Sequence, residues 1–196
     1  DLDVWFRLGH TAYADGLRED ALVRFERVLA AGDDLRPKSL RRHAFLFRGR
    51  CRLESGDWQS SIGDFEMALQ MDDTDVFAHV SLGDALTKAG RHADAVRHLR
   101  LGISGQLDGT FPLDRAVIDY TAHYFLGESL SALGRVDEAV EALEAASRAQ
   151  PDRPEARQAL SQLRPSLAGG RSTESPSAFV PPVATDESAR LTLCMI

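Results

Sequence analysis

Six histidines, two cysteines and 30 acidic side chains are the groups through which this 196-residue chain could do chemistry. A metal site would need three or four of them at ligand spacing. His92 and His98 stand six apart, which puts them on different faces of a helix, and neither has a cysteine nearby. Cys51 and Cys194 lie 143 residues apart, one within an expected helix and one in the tail. A disulfide between them is one reading, and a reduced compartment is the favoured one. Acidic pairs such as Asp72-Asp73 fall where turns are expected, and solvation accounts for them. No HExxH, CxxC, GxSxG or phosphate-cradling glycine loop occurs. The expectation is a non-enzymatic protein with no catalytic residues, no metal site and no cofactor.

The elements that carry these groups repeat. Aligned on Gly9, Gly49, Gly83 and Gly127, every copy has a second glycine seven residues on, at Gly16, Gly56, Gly90 and Gly134. Twelve residues on come Ala21, Ser61, Ala95 and Ala139, and sixteen on come Phe25, Phe65, Leu99 and Leu143. Four before the first glycine stand Trp5, Phe45, His79 and His123, so the last two histidines read as half-buried packing groups. A residue without a side chain at the first glycine lets two helices approach. The second glycine ends the first helix where a left-handed residue is cheapest. The small residue and the Phe or Leu four later form the apolar stripe of a second helix.

These columns resemble the tetratricopeptide repeat, a helix–turn–helix family. The first copy carries Trp5, Leu8-Gly9, Ala21 and Phe25, which should hold its two helices together. The fourth carries Leu126-Gly127, Leu130, Ala139, Leu143, Ala146 and Pro151. The resemblance implies an all-α fold, a right-handed superhelical solenoid of antiparallel helix pairs. The expected domain is 1–164, with repeats near 2–35, 42–75, 76–109 and 120–153 and a capping helix at 154–164, where Ala156, Leu160 and Leu163 share one face. The glycine-to-glycine steps are 40, 34 and 44 residues, so two first helices should be lengthened, starting near Pro37 and Asp114.

From Pro165 to Arg190 half the residues are Pro, Gly, Ser or Thr, and 165–196 reads as a flexible tail. It is not uniformly polar. Ala178–Val183, "AFVPPV", suits polyproline II, and Leu191–Ile196, "LTLCMI", is apolar to the last residue. One reading is a disordered end. The other is that residues 176–196 dock in this protein's groove or a neighbour's, which would allow self-association.

In the resembled family the first helices line a concave face that commonly holds an extended peptide. Here that face comprises Phe6, His10, Tyr13, His43, Leu46, Arg50, Phe77, Asp84, Tyr124 and Glu128. Phe6, His10 and Tyr13 belong to no packing column of their own repeat. Lys38–Arg52 carries six positive charges and no acid, with Arg48 and Arg52 in columns the family keeps apolar. Its charges either pair with Asp33, Asp34, Glu54 or Asp57, or meet an acidic or C-terminal carboxylate of a partner. The family's chaperone-type carboxylate clamp uses Asn side chains, and this chain has none.

The net charge of −7 argues against nucleic-acid partners. No run is long and apolar enough for membrane insertion, and there is no signal peptide, so the cytoplasm is expected. The chain has no initiator Met, as a fragment would not. The function expected is an adaptor or scaffold that binds a protein or peptide segment. The alternative is a regulatory or substrate-recruiting part of a larger enzyme or signalling protein.

Overall fold

A computed structural model describes residues 1–32, 38–107 and 114–168, with side chains to residue 163. Nine helices are formed by these residues, with no strand among them. They are α1 (Leu2–Ala14), α2 (Arg18–Leu29), α3 (Lys38–Glu54), α4 (Trp58–Met71), α5 (Val76–Lys88), α6 (His92–Ser104), α7 (Arg115–Ala132), α8 (Val136–Ala149) and α9 (Glu155–Ala168). Each helix packs on its successor, and the first helices also touch across the array, α1 on α3 and α5 on α7. The molecule is a helical repeat solenoid.

The turn glycines do what the pattern requires. Gly16, Gly56, Gly90 and Gly134 all lie at positive φ, between 74° and 84°. The amide after each reaches back into its helix, as Leu17 N–H does to Ala12 C=O at 2.8 Å and Arg135 N–H to Leu130 C=O at 2.9 Å. Those bonds satisfy carbonyls that the helix end would otherwise orphan. The first-column glycines act through space instead. A Cβ on Gly127 would sit 2.5 Å from Leu143 Cγ, and one on Gly49 2.7 Å from the Phe65 ring. Asp57, Asp75 and Asp114 cap the next helices by accepting from the amides of Ser60, Ala78 and Ala116. The lengthened helices α3 and α7 begin at Lys38 and Arg115.

α3 divides the interior. One side joins Phe45, Leu46 and Leu53 to the large core that runs on to α9. The other joins Leu40, Ala44, Phe47 and Cys51 to Ala12, Ala21, Phe25 and Val28 of the first hairpin. Gly9, Ala21 and Phe25 are buried as expected, but Trp5 and Leu8 are not, being 39% and 48% exposed. They do not hold the first hairpin together. At the equivalent positions of later repeats Phe45, His79 and Leu82 are buried.

At the other end α9 buries Ala156, Ala159, Leu160 and Leu163 and turns Arg157, Gln158, Ser161 and Gln162 outward. The helix runs on to Ala168. The expectations for AFVPPV, LTLCMI and the docking of 176–196 lie outside the described residues.

Candidate functional site

The first helices bring the ten expected groove residues into four groups. The aromatic group is centred on Phe47. The rings of Phe6, His10 and Tyr13 stand 6.0, 4.8 and 5.7 Å from it, and Phe6 also lies 6.3 Å from His43. The side chains of α1 that fit no column of their own repeat are therefore packed against the next one. Burial lowers the pKa of His10 and pushes the Tyr13 phenol up to about 12.

The second group is a line of alternating charge. Tyr13 O–H donates to Glu54 Oε1 at 2.6 Å, and Arg18 Nε donates to Glu54 Oε2 at 2.9 Å. Arg50 donates to Glu54 at 3.2 Å and lies 3.6 Å from Asp84 Oδ2. Lys88 Nζ stands 3.0 Å from Asp84 Oδ1, in ion-pair rather than hydrogen-bond geometry. Arg50 and Asp84 are both at least 95% buried, so each carries most of its compensation within the fold. The third group is on α7, where Tyr124 O–H donates to Glu128 Oε1 at 2.8 Å. Glu128 is raised to about 7, chiefly by burial and also by Asp84, against the opposing Tyr124 bond and Lys88.

Leu46, His43 and Phe77 line a cavity between α3, α5 and the segment after α6. Phe47, Val76 and Leu107 complete its apolar wall, and Arg42 at its rim is paired with Asp72 and Asp75. Phe47 and Arg42 stand outside the ten residues. They fall two and seven before Gly49; α3 carries Phe47 into contact with the first repeat and Arg42 onto the turn before α5.

The basic run of α3 meets acids of its own fold. Arg48 and Arg52 converge on Asp64, which α4 holds almost fully buried, at 3.1 and 2.9 Å. Of the four acids expected to serve, Glu54 accepts from Arg50; Asp64, Asp72, Asp75 and Asp84 do most of the remaining work. Asp33 and Asp34 lie outside the described residues.

The histidines form one pair that sequence spacing hides. His79 Nδ1 lies 3.0 Å from His98 Nδ1, and His79 Nε2 lies 2.9 Å from the Asp73 carbonyl. The carbonyl only accepts, so His79 carries its proton on Nε2 and accepts from His98 Nδ1–H. Burial first, then the neighbouring His79, lowers His98 to about 4. Among the described residues no group of three or more His, Cys, Asp or Glu could hold a metal ion. None of the described helices is long and apolar enough to cross a membrane.

Two family models, both described as tetratricopeptide repeat, match residues 6–76 and 121–163, together more than half of the chain. A search of curated protein sequences finds no match. Among solved structures, MamA 41-end from Desulfovibrio magneticus RS-1 is similar at 17% identity and TM-score 0.68, covering 85% of each chain. A crystal structure of MamA protein is similar at 20% identity and TM-score 0.66, covering 85% of this chain and 82% of that one. The first TPR of Spaghetti (RPAP3), bound to the HSP90 peptide SRMEEVD, is similar at 18% identity and TM-score 0.56, covering 65% of this chain and 93% of that one.

Proposed function

The chain belongs to the tetratricopeptide repeat family, a family of protein-interaction modules, and from that premise we propose that it is a non-enzymatic adaptor or scaffold whose concave face binds an extended peptide. The observation that carries this reading is the cavity at the second and third repeats. Half-buried Phe77 and Leu107 meet there over the buried Leu46, Phe47 and Val76, beside the turn into α5 and the segment after α6. An apolar side chain entering it would be removed from water on most sides, and the first-helix residues along the array give the rest of the peptide a track.

The chemistry of the partner follows from how the groove's charges are used. The peptide held by the first TPR of Spaghetti has three acidic side chains. In this chain Arg50 is compensated by Glu54 and Asp84, Arg42 is paired with Asp72 and Asp75, and no Asn is present to help a carboxylate clamp. An acidic ligand would have to displace those internal carboxylates. A segment with apolar anchors suits the site better, and residues 176–196 of this chain or a neighbour's carry such side chains in Ala178–Val183 and Leu191–Ile196.

Selection of a random peptide library against the full-length chain tests the reading. Enriched sequences should share apolar anchors, compete with one another, and lose at least about tenfold in affinity for the Phe77→Asp chain, a change of about 1.4 kcal/mol. Failure to enrich any sequence, or equal binding to a folded Phe77→Asp chain, overturns it.

A further inference from the structure

We propose that the facing Nδ1 atoms of His79 and His98 form a two-coordinate site for one monovalent coinage-metal cation, of the class of Cu+ and Ag+. The site lies within the α5–α6 hairpin and does not depend on the groove reading above.

The geometry between the rings carries the proposal. The two nitrogens are 3.0 Å apart and the ring centroids 5.3 Å apart. The difference is that of two imidazole radii laid end to end, so both nitrogens sit on the line joining the rings. Their lone-pair axes point at one another, with a single proton between them. A cation that replaces this proton finds one donor on each side, which is the coordination that Cu+ and Ag+ adopt with two ligands. At a bond of about 2.0 Å, the length imidazole makes with Zn2+, the nitrogens must part by about 1 Å. His98 is half-buried on α6, and a modest turn of its side-chain torsions supplies that movement.

His79 is already held as a ligand is held. Its Nε2–H donates to the Asp73 carbonyl at 2.9 Å, which leaves the lone pair on Nδ1. Metal-bound histidines are oriented by this same kind of second hydrogen bond, to a carbonyl or carboxylate. The ring is only 7% exposed, so packing fixes it before any ion arrives. His98 must change tautomer. Its proton leaves Nδ1 and water returns one to Nε2, so loading one cation releases no proton overall.

Ligand number selects the ion. Structural Zn2+ takes four protein ligands and catalytic Zn2+ three. No group of three or more His, Cys, Asp or Glu occurs among the described residues, and a two-coordinate ion needs no third. Charge points the same way. Arg91 and Arg97 both pair with Asp94, one turn before His98, which leaves one positive charge in excess beside the site. That excess repels a divalent ion about twice as strongly as a monovalent one.

The experiment uses the full-length chain in a Cys51→Ala/Cys194→Ser background, which removes both thiols, with folding checked by thermal melting. Titration calorimetry with silver nitrate should show one Ag+ per chain, with a heat independent of the buffer's ionisation enthalpy. His79→Gln and His98→Gln should each weaken binding at least about tenfold, the loss that follows removal even of an outer partner. In nitrogen-15 spectra the Nδ1 signals of both rings should shift, and His98 should pass from the Nδ1–H to the Nε2–H form. Cu+ kept reduced with ascorbate should compete with Ag+, and Zn2+ should not.

Nδ1 signals that stay in place at one equivalent of Ag+ overturn the proposal. So does binding that survives both substitutions, which assigns the ion to the methionines. Zn2+ that displaces Ag+ from the two rings also overturns it. His98→Gln, at the half-buried position, carries the test if His79→Gln does not fold. If the thiol-free background does not fold, the imidazole signals of the unaltered chain carry it, with Ag+ added beyond its two thiols.

Discussion

At the residue scale two titrating groups pull stability in opposite directions. His98 is depressed from 6.5 to about 4 in the folded chain, chiefly by burial. The unfolded chain therefore binds more protons between those values, and stability falls as pH falls through that window. Half exposure weakens the effect to about 1–2 kcal/mol. Glu128 shows the reverse. Its folded value is raised from 4.5 to about 7, so stability falls as pH rises through that window. Because the two windows overlap, the unaltered chain should show a muted pH profile, and the variants should separate the contributions. Glu128→Gln should raise Tm at pH 8 and change it little at pH 4, and His98→Gln should flatten the acid limb. Melting curves from pH 4 to 8 check both.

At the element scale the prediction concerns close approach between helices. Gly127→Ala would drive a Cβ to 2.5 Å from Leu143 Cγ, so α7 and α8 must separate, at a cost of about 1–3 kcal/mol. Gly63 lies within α4 with nothing within 4 Å of the added atom. Gly63→Ala should therefore stabilise by about 0.5–1 kcal/mol through helix propensity alone. Urea denaturation of the two variants should show opposite signs. This is also where the sequence was most legible. Gly9, Gly49, Gly83 and Gly127, the paired turn glycines and the Phe or Leu columns are contacts within one hairpin, and a fixed spacing reports them. Phe47, the His79–His98 bond and the Arg50–Asp84 pair were not legible in that way. The first and last depend on how one repeat is rotated on the next, and the histidine bond depends on tautomers that no spacing encodes.

At the scale of the whole molecule one column has different consequences along the array. Leu8 is 48% exposed on α1, whereas Leu82 in the same column of α5 is buried. Leu8→Ser should change stability by no more than about 0.5 kcal/mol, while Leu82→Ser should cost about 2–4 kcal/mol. Chemical denaturation of both proteins checks the contrast, and equal effects would refute the reading of this column as core at Leu82 and surface at Leu8.

The party wall that α3 makes between two cores gives the chain an internal clock. Cys51 lies on the first-hairpin side of that wall, fully buried, with its thiol pushed up to about 12 by burial. Repeat arrays open from their ends, and the first hairpin can detach while the large core remains closed. Reaction of Cys51 with a thiol reagent would then time that detachment alone. In a Cys194→Ser background its labelling should be slow at neutral pH, insensitive to substitutions on α8, and faster by about the factor by which Phe47→Leu destabilises the first hairpin. An exchange rate at one sulfur would thus measure how often the end of the array lets go.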